Sequence, residues 1–160
     1  MTRKICFQPI GMIHSPYRRP EDAPRRPRSF PAAKATVTVF PRYRAGLRDL
    51  RGFSHVLLVY CLHLSQGYEL VCRPFLGRRR RGVFATRSPR RPNPIGISVV
   101  RLLKVRKDGL DVSHVDMVDG SPLLDIKPYV PETGPRERVK LGWLEMELRK
   151  LEAARDDDRA

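Results

Sequence analysis

Proline interrupts this chain 15 times in 160 residues, roughly twice the usual share of about 5%. Proline fixes φ and lacks an amide N–H, so it breaks helix interiors. A long-helix architecture is excluded, and short strands joined by stiff loops are expected. The apolar runs between the prolines agree. Phe7 to Ile13 reads as a first strand, and Ala35 to Phe40, with β-branched residues at alternate positions, reads as a second. Arg44 to Leu50 reads as a short helical turn closed near Gly52, and His55 to Leu62 as a strand buried on both faces. Gly82 to Thr86 reads as a further short strand. Ile97 to Val105 and Leu110 to Val118 flank Asp108-Gly109, a hairpin signal, and Leu124 to Pro128 reads as one more short strand, where Pro128 ends pairing or places it at an edge. Leu141, Leu144, Leu148 and Leu151 recur at helical spacing, which predicts an amphipathic helix over about 142–154 packed on the sheet. The expected fold is mainly β: an antiparallel β-barrel with a C-terminal α-helix, in one domain spanning 1–160.

The charge is lopsided. Thirty-two Lys and Arg face 17 Asp and Glu, a formal +15. Arg18, Arg19, Arg25, Arg26 and Arg28 form one basic stretch; Arg73, Arg78, Arg79, Arg80, Arg81, Arg87, Arg90 and Arg91 form another. Adjacent like charges repel unless an anion sits nearby, and guanidinium groups suit phosphate oxygens. RNA is therefore the first candidate partner, with Arg78, Arg79, Arg80, Arg81, Arg90 and Arg91 as its contacts, and an acidic small molecule the second. Tyr17, Phe53 and Tyr60 are candidate stacking platforms for bases. The three cysteines, Cys6, Cys61 and Cys72, have no CxxC spacing, which argues against a disulfide framework and points to the cytoplasm. No run of about 18 apolar residues could span a membrane. The histidines are too scattered for a metal motif, so no metal is expected. GxGxxG, P-loop and GxSxG patterns are missing, which removes a Rossmann domain and the kinase and α/β-hydrolase readings.

Two loops could carry chemistry. In Thr86-Arg87-Ser88-Pro89-Arg90-Arg91-Pro92-Asn93-Pro94 three prolines stiffen a segment that presents Arg87, Ser88 and Asn93 at fixed positions; a plain rigid connection would look the same. In Asp119-Gly120-Ser121-Pro122 a Gly-Ser turn can expose N–H groups and a hydroxyl to a ligand, or be an ordinary tight turn.

Four motifs, in order, resemble the YaeB-like family, also called TsaA-like or TrmO-like. They are Ile10 to Tyr17, Leu50 to His55, Ala85-Thr86-Arg87-Ser88-Pro89 with Arg91-Pro92-Asn93-Pro94-Ile95-Gly96, and Val118 to Tyr129. The matching core is about 7–131. The resemblance implies a dimeric β-barrel methyltransferase that uses S-adenosyl-L-methionine without a Rossmann domain and modifies threonylcarbamoyl-adenosine beside the tRNA anticodon. It also implies cofactor contacts at Arg26, Pro27, Arg28, His63, Leu64, Arg87, Ile97, Asp119, Gly120, Ser121 and Pro122. His63 and Asp119, at matched strand ends, are the catalytic candidates for proton transfer. Arg26 and Arg28 stand where family members commonly carry Gln and Gly. Longer bacterial members continue into a second domain, whereas here only the helix near Trp143 and an acidic tail follow. Rival readings are a small-molecule methyltransferase using the same cofactor and a non-catalytic basic barrel that binds RNA.

Overall fold

The structure, a computed structural model, describes residues 4–24, 33–135, 137 and 139–157. Six strands close a barrel: β1 (Gly11–His14), β2 (Lys34–Val39), β3 (His55–Cys61), β6 (Ile95–Val105), β7 (Gly109–Ser113) and β8 (Ser121–Pro128), hydrogen-bonded in the circular order β1-β2-β7-β6-β3-β8. Every neighbouring pair is antiparallel. Closure removes the exposed sheet edges that short strands would otherwise leave. A two-stranded excursion, β4 (Val71–Cys72) with β5 (Arg81–Gly82), projects between β3 and β6, and α1 (Trp143–Asp157) closes the described chain.

Alternation does the sorting. On β6 the even positions Gly96, Ser98 and Val100 are buried while Ile95, Ile97 and Val99 face outward. Ile13, Val37, Val56, Leu58, Val100, Leu110, Val112 and Leu123 fill the interior with no exposed surface. Each is worth about 1.5–3 kcal/mol of burial.

Three expectations need correction. His55 to Leu62 was expected to be buried on both faces, yet β3 alternates buried and half-buried positions, because a single-layer barrel has only one interior. Gly82 to Thr86 was expected to be a strand; only Arg81–Gly82 pair, and Val83–Ala85 coil into a 3-10 turn whose end is closed by the Thr86 N–H on the Val83 carbonyl at 3.0 Å. The C-terminal helix is present, but the contacts that anchor it lie on the basic excursion. Trp143 Nε1 donates to the Ala85 carbonyl at 2.9 Å. The Arg81 guanidinium lies 5.2 Å from the centre of the Trp143 ring, and Glu147 borders Gly77.

Antiparallel pairing places the ends of β1, β3 and β7 and the starts of β2, β6 and β8 at one mouth of the barrel. Residues far apart in sequence therefore meet there.

Candidate functional site at the barrel mouth

The turn from Val118 to Ser121 is fastened across the mouth. Asp119 N–H donates to the Tyr17 carbonyl at 2.7 Å, and Gly120 N–H to that of Ile13 at 2.9 Å. Gly120 takes φ +74°, a left-handed conformation that favours glycine. A Cβ there would sit 4.0 Å from His63 Nε2, so the imidazole that follows β3 reaches over this turn. The Asp119 carboxylate accepts from Ser15 N–H at 3.1 Å and from Arg18 Nη1 at 2.9 Å, with His14 Nδ1 at 3.8 Å.

One expectation for the turn is corrected by its own hydrogen bonds. The N–H groups of Asp119, Gly120 and Ser121 are all bonded within the protein. The Ser121 hydroxyl, 2% exposed, donates to the Val118 carbonyl at 2.7 Å. A ligand here meets the Asp119 carboxylate, bare Gly120 backbone and Pro122, rather than a set of free donors.

The proline-rich loop forms the opposite wall. Arg91 points inward, its Nη1 donating to the carbonyls of Thr86 at 2.9 Å, Ser88 at 3.3 Å and Val83 at 3.4 Å. Three carbonyls on one guanidinium lock the loop more firmly than proline alone. Ser65 Oγ donates to the Pro89 carbonyl at 2.9 Å and Arg90 pairs with Glu69 at 2.7 Å, tying the loop to the segment after β3. Arg87 Nη2 donates to the Ile97 carbonyl at 2.9 Å, which holds the guanidinium over the start of β6 with its other N–H groups toward solvent. Ile97 and Leu64 are about half exposed there. The starts of β6 and β8 are separated by β3 alone, about 10 Å apart. The mouth thus brings together His63, Leu64, Arg87, Ile97 and Asp119 to Pro122. Arg26, Pro27 and Arg28 lie outside the described residues.

A polar network that the sequence reading missed lies under this wall. Ser98 Oγ donates to Asp116 Oδ1 at 2.6 Å, and the Tyr60 hydroxyl is 3.2 Å from Ser98 Oγ. A Cβ on Gly96 would fall 2.4 Å from the Tyr60 ring, so glycine makes room for the tyrosine. Burial pushes the Asp116 carboxyl above the usual carboxylate range, opposed by the Ser98 hydrogen bond and the positive Arg87. Tyr60 is pushed up to about 12, chiefly by burial and then by Asp116. The Tyr17 phenol is raised by burial and, after it, by Asp116. The only sequence signal was a single acid between buried Val115 and Met117.

Stability should report this environment. A carboxyl with a raised folded pKa contributes most at low pH and loses that contribution as pH rises through the folded value. Asp116→Asn, which keeps an acceptor for Ser98, should therefore raise Tm at pH 7–8. The gain should vanish as pH falls to the ordinary carboxylate range. Thermal melts across pH check this, and a constant Tm difference would contradict it.

The stacking platforms need correction too. Tyr60 is 5% exposed and offers no ring face to a base. Tyr17 is half-buried, and Phe53 lies before β3 at the far end of the barrel. Of the arginine quartet, Arg78, Arg79 and Arg80 are exposed, but Arg80 Nη2 is bonded to the Val71 carbonyl, and the half-buried Arg81 stacks on Trp143. Among the described residues no three His, Cys, Asp or Glu side chains converge as metal ligands. No helix among them is long and apolar enough to cross a membrane.

A family model described as the tRNA-methyltransferase O N-terminal domain matches residues 12–134. The chain belongs to this family. A probable S-adenosyl-L-methionine-binding protein of Pyrococcus abyssi is 50% identical, over 97% of this chain and 84% of that protein. The tRNA (adenine(37)-N6)-methyltransferase of Escherichia coli is 40% identical, over 78% of this chain and 57% of the enzyme. A crystal structure of TrmO from Pseudomonas aeruginosa superimposes with a TM-score of 0.73 at 38% identity, covering 89% of this chain and 62% of that one. This chain thus spans most of the archaeal relative and a little over half of the bacterial enzyme. The barrel read from the sequence is the TrmO fold, and the four motifs that suggested the family lie almost wholly within the matched segment.

Proposed function

We propose that this protein is an S-adenosyl-L-methionine-dependent methyltransferase acting on N6 of adenine 37 in tRNA, with the threonylcarbamoyl-modified base as its preferred acceptor. The observation that carries this is the meeting of His63, Arg87, Ile97 and Asp119 at one barrel mouth in a chain of the TrmO family. The side chains present there fit the cofactor: Arg87 offers free N–H groups to a carboxylate, the Asp119 carboxylate suits an ammonium or ribose hydroxyl, and exposed Leu64 and Ile97 offer apolar surface to adenine.

When bound, S-adenosyl-L-methionine supplies an activated, electrophilic methyl group. The protein then has two tasks, alignment of the acceptor nitrogen and removal of its proton. Alignment falls to the stiff Arg87 loop and to the turn fastened by Asp119. His63 Nε2, reaching over Gly120, is the proton acceptor, because the Asp119 carboxylate is already engaged by Ser15 and Arg18. His63→Gln should keep cofactor affinity within about twofold while slowing transfer about 10²-fold or more; single-turnover assays beside titrations check this. Arg78 and Arg79 face the approaching RNA. The outer faces of β6 and β3, with Ile95 and Val99 exposed beside Leu57 and Val59, form the face on which a homodimer would associate. Barrel, excursion and helix work as one domain, in the cytoplasm where tRNA is found.

The test is to incubate tRNA carrying threonylcarbamoyl-adenosine with methyl-labelled cofactor, digest it to nucleosides and identify the labelled species by mass spectrometry. Label on the modified adenosine supports the full proposal. Label only on unmodified adenine removes the acceptor preference, and a cofactor-binding protein that labels no RNA favours the small-molecule reading.

A further inference from the structure

An open depression of about 610 Å³ on the outer barrel wall adjoins the mouth, its walls including His14, Arg18, Lys34, Lys104, Asp111 and Asp119. Strand register builds it: His14 on β1 faces Thr36 on β2, Thr36 faces Asp111 on β7, and Asp111 faces Lys104 on β6. The bulge in the β6–β7 register at Leu103 widens the wall there, leaving Leu103 45% exposed.

The charges in this depression do not cancel. Asp119 is paired with Arg18 at 2.9 Å, and Asp111 with Arg106 at 3.2 Å. Lys34 and Lys104 are exposed and have no ion-pair partner among the described residues. Both acids are thus neutralised by arginines, while two lysines about 10 Å apart across β7 remain uncompensated. The His14 imidazole, half exposed beside Asp119, is held with its Nε2 3.2 Å from Thr38 Oγ1. Asp119 itself borders both the depression and the mouth, so an anion held here lies next to the site of methyl transfer.

We infer that this depression receives the phosphodiester backbone of the RNA substrate, with Lys34 and Lys104 as its phosphate contacts. The inference rests on the RNA substrate proposed above and assigns it a track: along the β1-β2-β7-β6 wall into the mouth. A polyanion is favoured over a single small anion because the two uncompensated lysines stand on β2 and β6, on either side of β7, in a depression open to solvent.

The test compares Lys34→Ser/Lys104→Ser with Arg48→Ser/Lys107→Ser, an equal loss of charge outside the depression, using bulk unfractionated tRNA as probe. Each phosphate contact adds about 0.7–0.9 to the slope of log affinity against log salt. The groove variant should therefore lose about 1.4–1.8 from that slope, so that wild type loses about 7- to 12-fold more affinity than the variant between 50 and 200 mM salt. The control should keep the wild-type slope, and S-adenosyl-L-methionine affinity should be unchanged in both variants. Equal losses in the two variants would overturn the inference by showing a diffuse charge effect. An unchanged groove-variant slope, or a wild type that does not bind tRNA, would also overturn it. Loss of cofactor affinity in the groove variant with tRNA binding intact would make the depression a cofactor subsite instead. Failure of the methyltransferase reading is seen separately, as a wild type that binds tRNA but not the cofactor.

Discussion

Replacing Arg87 with alanine should weaken S-adenosyl-L-methionine binding about 10- to 160-fold, the equivalent of about 1.5–3 kcal/mol for a charge-assisted hydrogen bond. The expectation is large because the guanidinium is held before any ligand arrives. Its Nη2 is fixed on the Ile97 carbonyl, and its loop is locked by Arg91 on three carbonyls. Little ordering cost then offsets the bond it makes. The Arg87→Lys variant separates charge from shape. Lysine keeps the charge but lacks the planar fork, so it should recover only part of the affinity. Calorimetric titration of both variants, with thermal melts to show an intact fold, is the check. Wild-type affinity in Arg87→Ala would remove Arg87 from the site.

The second large effect concerns the barrel itself. Gly109→Ala should cost about 3 kcal/mol or more, and lower Tm by roughly 6–12 °C for a chain of this size. A Cβ at Gly109 would lie 1.8 Å from the Val37 carbonyl oxygen on β2, and one at Gly11 would lie 2.0 Å from that of Thr38. The two glycines press on β2 from its opposite neighbours, β7 and β1. β2 cannot retreat from one without closing on the other. Close approach of this kind is what interior strand glycines allow where a barrel bends. Circular-dichroism melts measure the loss, and a Tm within a degree of wild type would show that the backbones separate freely.

That glycine also shows what could be read from the sequence and what could not. Asp108-Gly109 marked the hairpin correctly, since Arg106 N–H bonds the Gly109 carbonyl at 2.8 Å and β6 pairs with β7. The reason was different. Lys107 and Asp108 occupy the bend without positive φ, and Gly109 lies in the strand, where it answers to a neighbour 71 to 72 residues earlier in the chain. Local pattern reports turns and alternation, as it did for β2 and for the hairpin. It is blind to what packs against them. The alternation on β3 was hidden because apolar residues occupy both its faces, and the apolar stripe of α1 did not say which surface it would meet.

The site followed the same division. Motif resemblance named His63, Arg87 and Asp119; in the structure His63 Nε2 reaches over Gly120, next to Asp119, and Arg87 is held on the Ile97 carbonyl. The donor inventory of the 119–121 turn could not be read, because its N–H groups and its hydroxyl find partners in β1, in the loop after it and in the turn's own backbone. Asp116 escaped notice because its shift arises from burial, against partners such as Ser98 and Tyr60 that lie 18 and 56 residues away in the chain. Both cases depend on contacts between distant segments, which no local window of sequence contains.

Titration calorimetry with S-adenosyl-L-methionine on the wild-type chain tests the central claim most directly. Saturable binding at one molecule per chain is the predicted result, weakened in Arg87→Ala and in Asp119→Ala but kept in Arg48→Ser/Lys107→Ser at the far end of the barrel. No binding by a folded wild-type protein, or binding indifferent to Arg87 and Asp119, would contradict the assignment of the barrel mouth as the methyl-donor site.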